Sequence, residues 1–275
     1  MSDIKTNSKI SNMNSKILQI VYLSFTVYFI VDTLYFNFIR SSLNDAIQNV
    51  GISHNISYLI FGIPLFIGVL ILFPRKKFFI SLGLSGSFIK ALLFSLICTA
   101  PMFIGFFLLF SFNNELTINE FLISGIAAAF FEELYFRGFL FGIPFKFTRL
   151  GFVLSIIVGA ILFAVVHLYQ SQDLYTLIGI FFTTFFGALI FGWTYVEWKF
   201  NLWVPITLHF LMNLSWMLFS VSDNALGDTY ANIIRIVTIV LIFLITILYK
   251  KRKGLPFYIN RKTLFILRDK TSINH

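Results

Sequence analysis

The sequence predicts an all-α membrane protein: a polytopic bundle of about eight transmembrane helices with both termini in the cytoplasm. Three observations carry this. The 275 residues are 58% hydrophobic and only 12% charged, with a mean hydropathy of +0.86, a balance outside that of soluble globular domains. Apolar runs near the roughly 20 residues needed to cross about 30 Å of hydrocarbon recur along the chain. The 21 Lys and Arg residues fall almost entirely between alternate pairs of runs, as the positive-inside bias requires.

The expected spans are Ile17–Ile39, Tyr58–Phe73, Ile89–Phe112, Phe121–Phe141, Phe152–Leu168, Leu174–Trp198, Leu202–Val221 and Tyr230–Tyr249. The first is too long for a signal-peptide core and no small-residue cleavage site follows it, so it reads as an uncleaved anchor. With the N-terminus inside, inner segments collect Lys5, Lys9 and Lys16, then Arg75, Lys76, Lys77 and Lys90, then Lys146, Arg149 and Lys199, then the residues from Lys250 to Lys270; the outer loops hold only Arg40. The net charge of +9 is therefore topology and affinity for an anionic bilayer, not a nucleic-acid surface. The organisation expected is a cytoplasmic segment at 1–16, the helical bundle at 17–249 and a basic cytoplasmic tail at 250–275. Cys98 alone cannot form an internal disulfide, and Ala188 with Gly192 makes a small-residue face for close helix packing.

A charge at membrane depth costs about 2.5 to 3.5 kcal/mol on insertion-based scales, so each one needs a reason. The stretch "FFEELYFRGF" at Phe130 to Phe139 holds three, Glu132, Glu133 and Arg137. Glu133 and Arg137 stand four apart, acid first, the order in which a helical ion pair neutralises itself. Glu132 is rotated about 100° away and has no basic neighbour on its own face. It must find a partner elsewhere, and a carboxylate shielded from water is suited to act as a general base. Two histidines lie within other spans: His167 in "FAVVHL" and His209 in "PITLHFLMN", four residues before Asn213. An imidazole can take a proton from water, and an imidazole with an amide can bind the oxyanion formed when that water attacks a carbonyl. Each feature also has a structural reading, as an ion pair tying helices together or an interhelical hydrogen bond. Their joint occurrence is what points to hydrolysis. Asp32 and Arg235 fall in the outer thirds of the first and last spans, where pairing would remove two costs at once. Glu197 and Lys199, beside Trp198, are placed to reach the interface.

"EELYFR" at Glu132 to Arg137, "FAVVH" at Phe163 to His167 and "HFLMN" at His209 to Asn213 resemble, in order, the EExxxR, FxxxH and HxxxN motifs of the CAAX-protease and bacteriocin-processing (Abi) family of intramembrane proteases. The resemblance covers roughly 121–220. It implies an eight-helix bundle, with Glu132 and His167 activating water, His209 and Asn213 forming the oxyanion hole, and Glu133 with Arg137 ordering the site. It implies a peptide or lipid-anchored protein substrate met at the bilayer; the abundance of Phe, Ile, Asn and Lys, as an A/T-rich coding sequence gives, points to a bacterial plasma membrane as the location. No cofactor is expected, although Glu132, His167 and His209 also make a conceivable zinc set. A proton-coupled transporter and a non-catalytic immunity or scaffold protein are the competing classes. No HExxH is present, and "GLSG" at Gly83 to Gly86 resembles a rhomboid serine motif by chance. In straight, aligned helices His167 would end near the outer face and His209 near the inner one. Their meeting requires tilted or offset helices, or a segment around Pro205 that enters the membrane more deeply.

Overall fold

The computed structural model describes residues 2–266, so the predicted tail beyond Ile266, with Arg268 and Lys270, lies outside the described residues. Those residues are all helical in their regular structure. Helix α1 spans Ser2–Ile47, α2 Val50–Phe61, α3 Ile63–Leu72 and α4 Phe88–Leu109. A π-helix at Phe121–Phe141 follows, then α5 at Phe152–Val166, α6 at Leu174–Glu197, α7 at Trp203–Leu218 and α8 at Thr229–Arg252. The second predicted span is two helices end to end, broken where Pro64 denies the chain a backbone donor.

Six stretches are long and apolar enough to cross a bilayer, and they fit a multi-pass membrane protein: Met13–Ile47, Val50–Leu72, Phe88–Leu109, Phe152–Gln170, Leu174–Glu197 and Thr229–Arg252. The other two expected spans fall short for physical reasons. The π-helix carries Glu132, Glu133 and Arg137, and α7 is only 16 residues long. Both are shielded by protein rather than by lipid. Every residue from Glu133 to Phe141 is buried, as are Val204 to Leu208. The π-helix occupies the middle of the bundle, packed against α2, α5 and α7, while α4 bears on α7 and α8. Gly192 does mark a close approach, because a Cβ there would sit 2.1 Å from Cδ1 of Ile156 on α5.

The depth conflict between the histidines is resolved at the start of α7. After α6 the chain reverses through Lys199 and Phe200, both with positive φ, and α7 begins inside the protein, with Leu202 fully buried. A helix starting there needs partners for its polar groups. "GLSG" and the serine after it supply them. The Gly83 carbonyl accepts from the Leu202 amide at 2.9 Å, the Leu84 carbonyl from Nε1–H of Trp203 at 3.0 Å and the Ser87 carbonyl from Nδ2–H of Asn201 at 3.0 Å. Gly83 sits at φ +84°, and a Cβ on Gly86 would fall 2.2 Å from Oδ1 of Asn201. This stretch is a cradle for α7, which is why glycine stands at both positions.

The C-terminal segment is likewise built in. Glu197, expected at the interface, is fully buried and paired with Lys250; its carboxylate also accepts from the amides of Tyr258, at 3.2 Å, and Ile259, at 2.8 Å. The expectation fails because the end of α8 and the segment after it close over that position. Residues 263–265 then offer carbonyls to the amides of Gly151, Phe152 and Val153 at 2.7 to 2.9 Å. These are first-turn donors of α5, which has no side-chain N-cap. The segment after α8 is thus the cap of α5, the helix that carries His167 at its other end.

Candidate active site

Glu132, Glu133 and Arg137 come from the π-helix, His167 from the residue after α5, and His209 and Asn213 from α7. The sequence expectation of an α-helical face is replaced by the wider π winding, a form otherwise seen mostly as single turns and frequently at functional sites. Glu133 still meets Arg137, with Oε1 and Nη1 3.2 Å apart and both groups buried. The guanidinium also lies 4.1 Å from the centre of the Phe163 ring, so it is held between an acid and an aromatic face.

The two histidines point at Glu132. Nδ1 of His167 is 2.6 Å from the carbonyl oxygen of Phe163, and Nδ1 of His209 is 2.9 Å from Oε1 of Glu133. Each contact favours a proton on Nδ1, which turns Nε2 toward the centre of the site. Both Nε2 atoms stand 4.0 Å from the same atom, Oε2 of Glu132. That oxygen is buried and makes no hydrogen bond to protein. A separation of 4.0 Å is too long for direct bonding; it matches two groups each bonded to one water at about 2.8 Å.

A zinc ion fits these residues in kind but not in spacing. Tetrahedral donors at the usual zinc distances are about 3.4 Å apart, less than the 4.0 Å seen from Oε2 to either Nε2. Among the described residues no three ligating side chains stand at metal spacing.

Asn213 lines the cavity but is not joined to His209; its Nδ2–H donates to the carbonyl of Ser124 at 2.8 Å. The expected Asp32–Arg235 pair is absent. The helices α1 and α8 pack on different neighbours, Oδ1 of Asp32 is unpartnered, and Arg235 stacks 4.5 Å over the Trp216 ring.

The site opens into a cavity of about 810 Å³, lined by Glu132, His167, His209 and Asn213 and, beyond the sequence motifs, by His54, Tyr58 and Arg235. It reaches the surface by Tyr169, Gln170 and the 222–225 loop, where Oε1 of Gln170 accepts from the Ala225 amide at 2.7 Å. That end lies opposite the loops bearing Arg75, Lys146 and Lys199. Nothing in the local sequence marks His54 or Tyr58, which reach the cavity only because α2 packs beside the π-helix.

A profile of the type II CAAX prenyl endopeptidase Rce1-like family matches residues 114–215. Over that segment the chain is similar to that protease family. The segment runs from just before the π-helix to the fourth turn of α7, so it contains all six motif residues and leaves out α1–α4 and α8. No curated protein and no solved structure matches the chain.

Proposed function

We propose that the chain is an intramembrane endopeptidase that hydrolyses a peptide bond with water activated by Glu132 and His167. The observation that carries this is the convergence of two Nε2 atoms on the one unpartnered oxygen of Glu132. Water held between them gives a proton to Glu132 while His167, its Nδ1 tied to the Phe163 carbonyl, accepts a hydrogen bond at Nε2 and orients the lone pair. The water oxygen bonds to the scissile carbonyl carbon, negative charge collects on the carbonyl oxygen, and the C–N bond breaks as Glu132 returns the proton to the leaving nitrogen. The donors for the oxyanion are Asn213, by turning from Ser124, and His209 in its doubly protonated form, in which Glu133 accepts from Nδ1–H and Nε2–H is left to donate. No step in this scheme uses a metal.

The substrate is a peptide or a lipid-anchored protein that enters from the bilayer or through the cavity mouth. With the basic loops in the cytoplasm, that mouth faces outward, where exported peptides pass, which favours peptide maturation or bacteriocin self-immunity in a bacterial plasma membrane. The test is cleavage of a peptide library by purified protein in lipid, comparing wild type with Glu132→Gln, His167→Ala and His209→Ala. Cleavage that survives Glu132→Gln in a folded protein overturns the reading.

A further inference from the structure

We propose that Arg235 is the substrate anchor of this cavity, binding a carboxylate of the peptide; this rests on the protease reading for what the cavity holds. Arg235 comes from α8, outside the family-matched segment, and lines the same cavity as Glu132. Its Nη1 is buried without a hydrogen-bond partner, and among the described residues no acid forms an ion pair with it. Among the described residues the two buried cations each face an acid, Arg137 paired with Glu133 and Lys250 with Glu197, whereas the half-buried Arg235 is paired with none. A charge at that depth without a counter-ion is costly, and its cost falls when an anion arrives.

The mounting is rigid. Trp216 covers one face of the guanidinium and is itself fixed, with Nε1–H donating to the Ser222 carbonyl at 3.0 Å and its ring packed edge-on against Phe106. Gly227 lies so close that a Cβ there would meet the ring at 2.6 Å. Stacking leaves the in-plane N–H fork for a ligand, and that planar fork matches a carboxylate. The cavity walls carry Glu132 and Asp223 as well as Arg137 and Arg235, and of these two arginines Arg235 is the one with no acid paired to it. A peptide bound with its carboxylate on Arg235 is held in one direction, which decides the bond presented to Glu132.

The carboxylate can be the peptide's C-terminus or an Asp or Glu side chain. The test uses one fluorescein-labelled apolar octapeptide in four forms, with free-acid or amide ends and with internal Asp or Asn. Binding is measured by fluorescence anisotropy to Glu132→Gln protein, which leaves the peptide uncut. The expected result is that at least one carboxylate form binds about tenfold or more tightly than its neutral twin. Arg235→Gln abolishes that gap and Arg235→Lys narrows it, with folding verified by gel filtration and melting temperature. The free-acid and Asp arms tell which carboxylate is read. Equal affinity for charged and neutral forms overturns the proposal, whatever the variants do, and so does a gap that persists in Arg235→Gln. If the gap depends on Arg235 but wild type never cleaves, the anchor stands and the protease reading falls.

Discussion

Nδ1 of His209 stands 2.9 Å from Oε1 of Glu133, so the histidine facing Glu132 is tethered to the acid beside it. The adjacent glutamates thereby have different surroundings. Glu133 is sealed in with Arg137 and His209, while Glu132 borders the cavity with one oxygen unclaimed by protein. Opposite outcomes are expected when each is changed.

Glu132→Gln keeps the shape and removes the base. Peptide cleavage is expected to fall by about 10²-fold or more, with the melting temperature unchanged within a degree or two. A variant that melts much earlier would instead place Glu132 in the structural framework.

Glu133→Ala strands Arg137 as a buried charge and frees His209. Breaking a buried pair from one side costs about 3 to 5 kcal/mol, so a large drop in thermal stability is expected along with lost activity. Glu133→Gln, which retains an acceptor for His209, should lose less stability. Equal melting of all three proteins would show that the pair contributes little to the fold.

Glu197→Ala removes the acceptor shared by Lys250, Tyr258 and Ile259. The segment that caps α5 is then expected to be cut by added protease much sooner than in wild type, and activity should decline because His167 ends that helix. If residues 255–266 stay equally protected, the clamp is not what holds them.

Gly83→Ala forces a side chain onto a left-handed backbone and into the Phe200 carbonyl, 2.6 Å from the new Cβ. A loss of at least about 1 to 2 kcal/mol is expected from conformation alone. The start of α7 should shift with it, so kcat should fall even in the fraction that folds; unchanged kcat and melting would remove the cradle from the account.

Chelator is expected to leave cleavage unchanged, since Oε2 of Glu132 and the Nε2 atoms lie wider apart than zinc donors do. Loss of activity with EDTA, restored by zinc, would mean that the three side chains close around an ion.

Composition and the charges inside the apolar runs mark a helical membrane protein and single out the side chains proposed as its reactive centre. Apolar runs and full charges inside them are local properties, and their cost in hydrocarbon does not depend on what packs nearby. Glu133 with Arg137 was legible for the same reason, as a contact within one helix. The contacts between distant segments were not legible in the sequence. The 4.0 Å convergence of His167 and His209 on Glu132 depends on α7 beginning inside the protein, and that start depends on backbone carbonyls of Gly83 and Leu84, which carry no side-chain signature. Glu197 read as an interfacial acid because nothing nearby in sequence reveals that Lys250 and the amides of Tyr258 and Ile259 close over it. Asp32 and Arg235 looked like partners because each is costly alone; neighbouring helices α1 and α8 would have been needed, and packing put Trp216 against Arg235 instead. Burial cost is written residue by residue, whereas the partner that offsets it is chosen by how the helices pack.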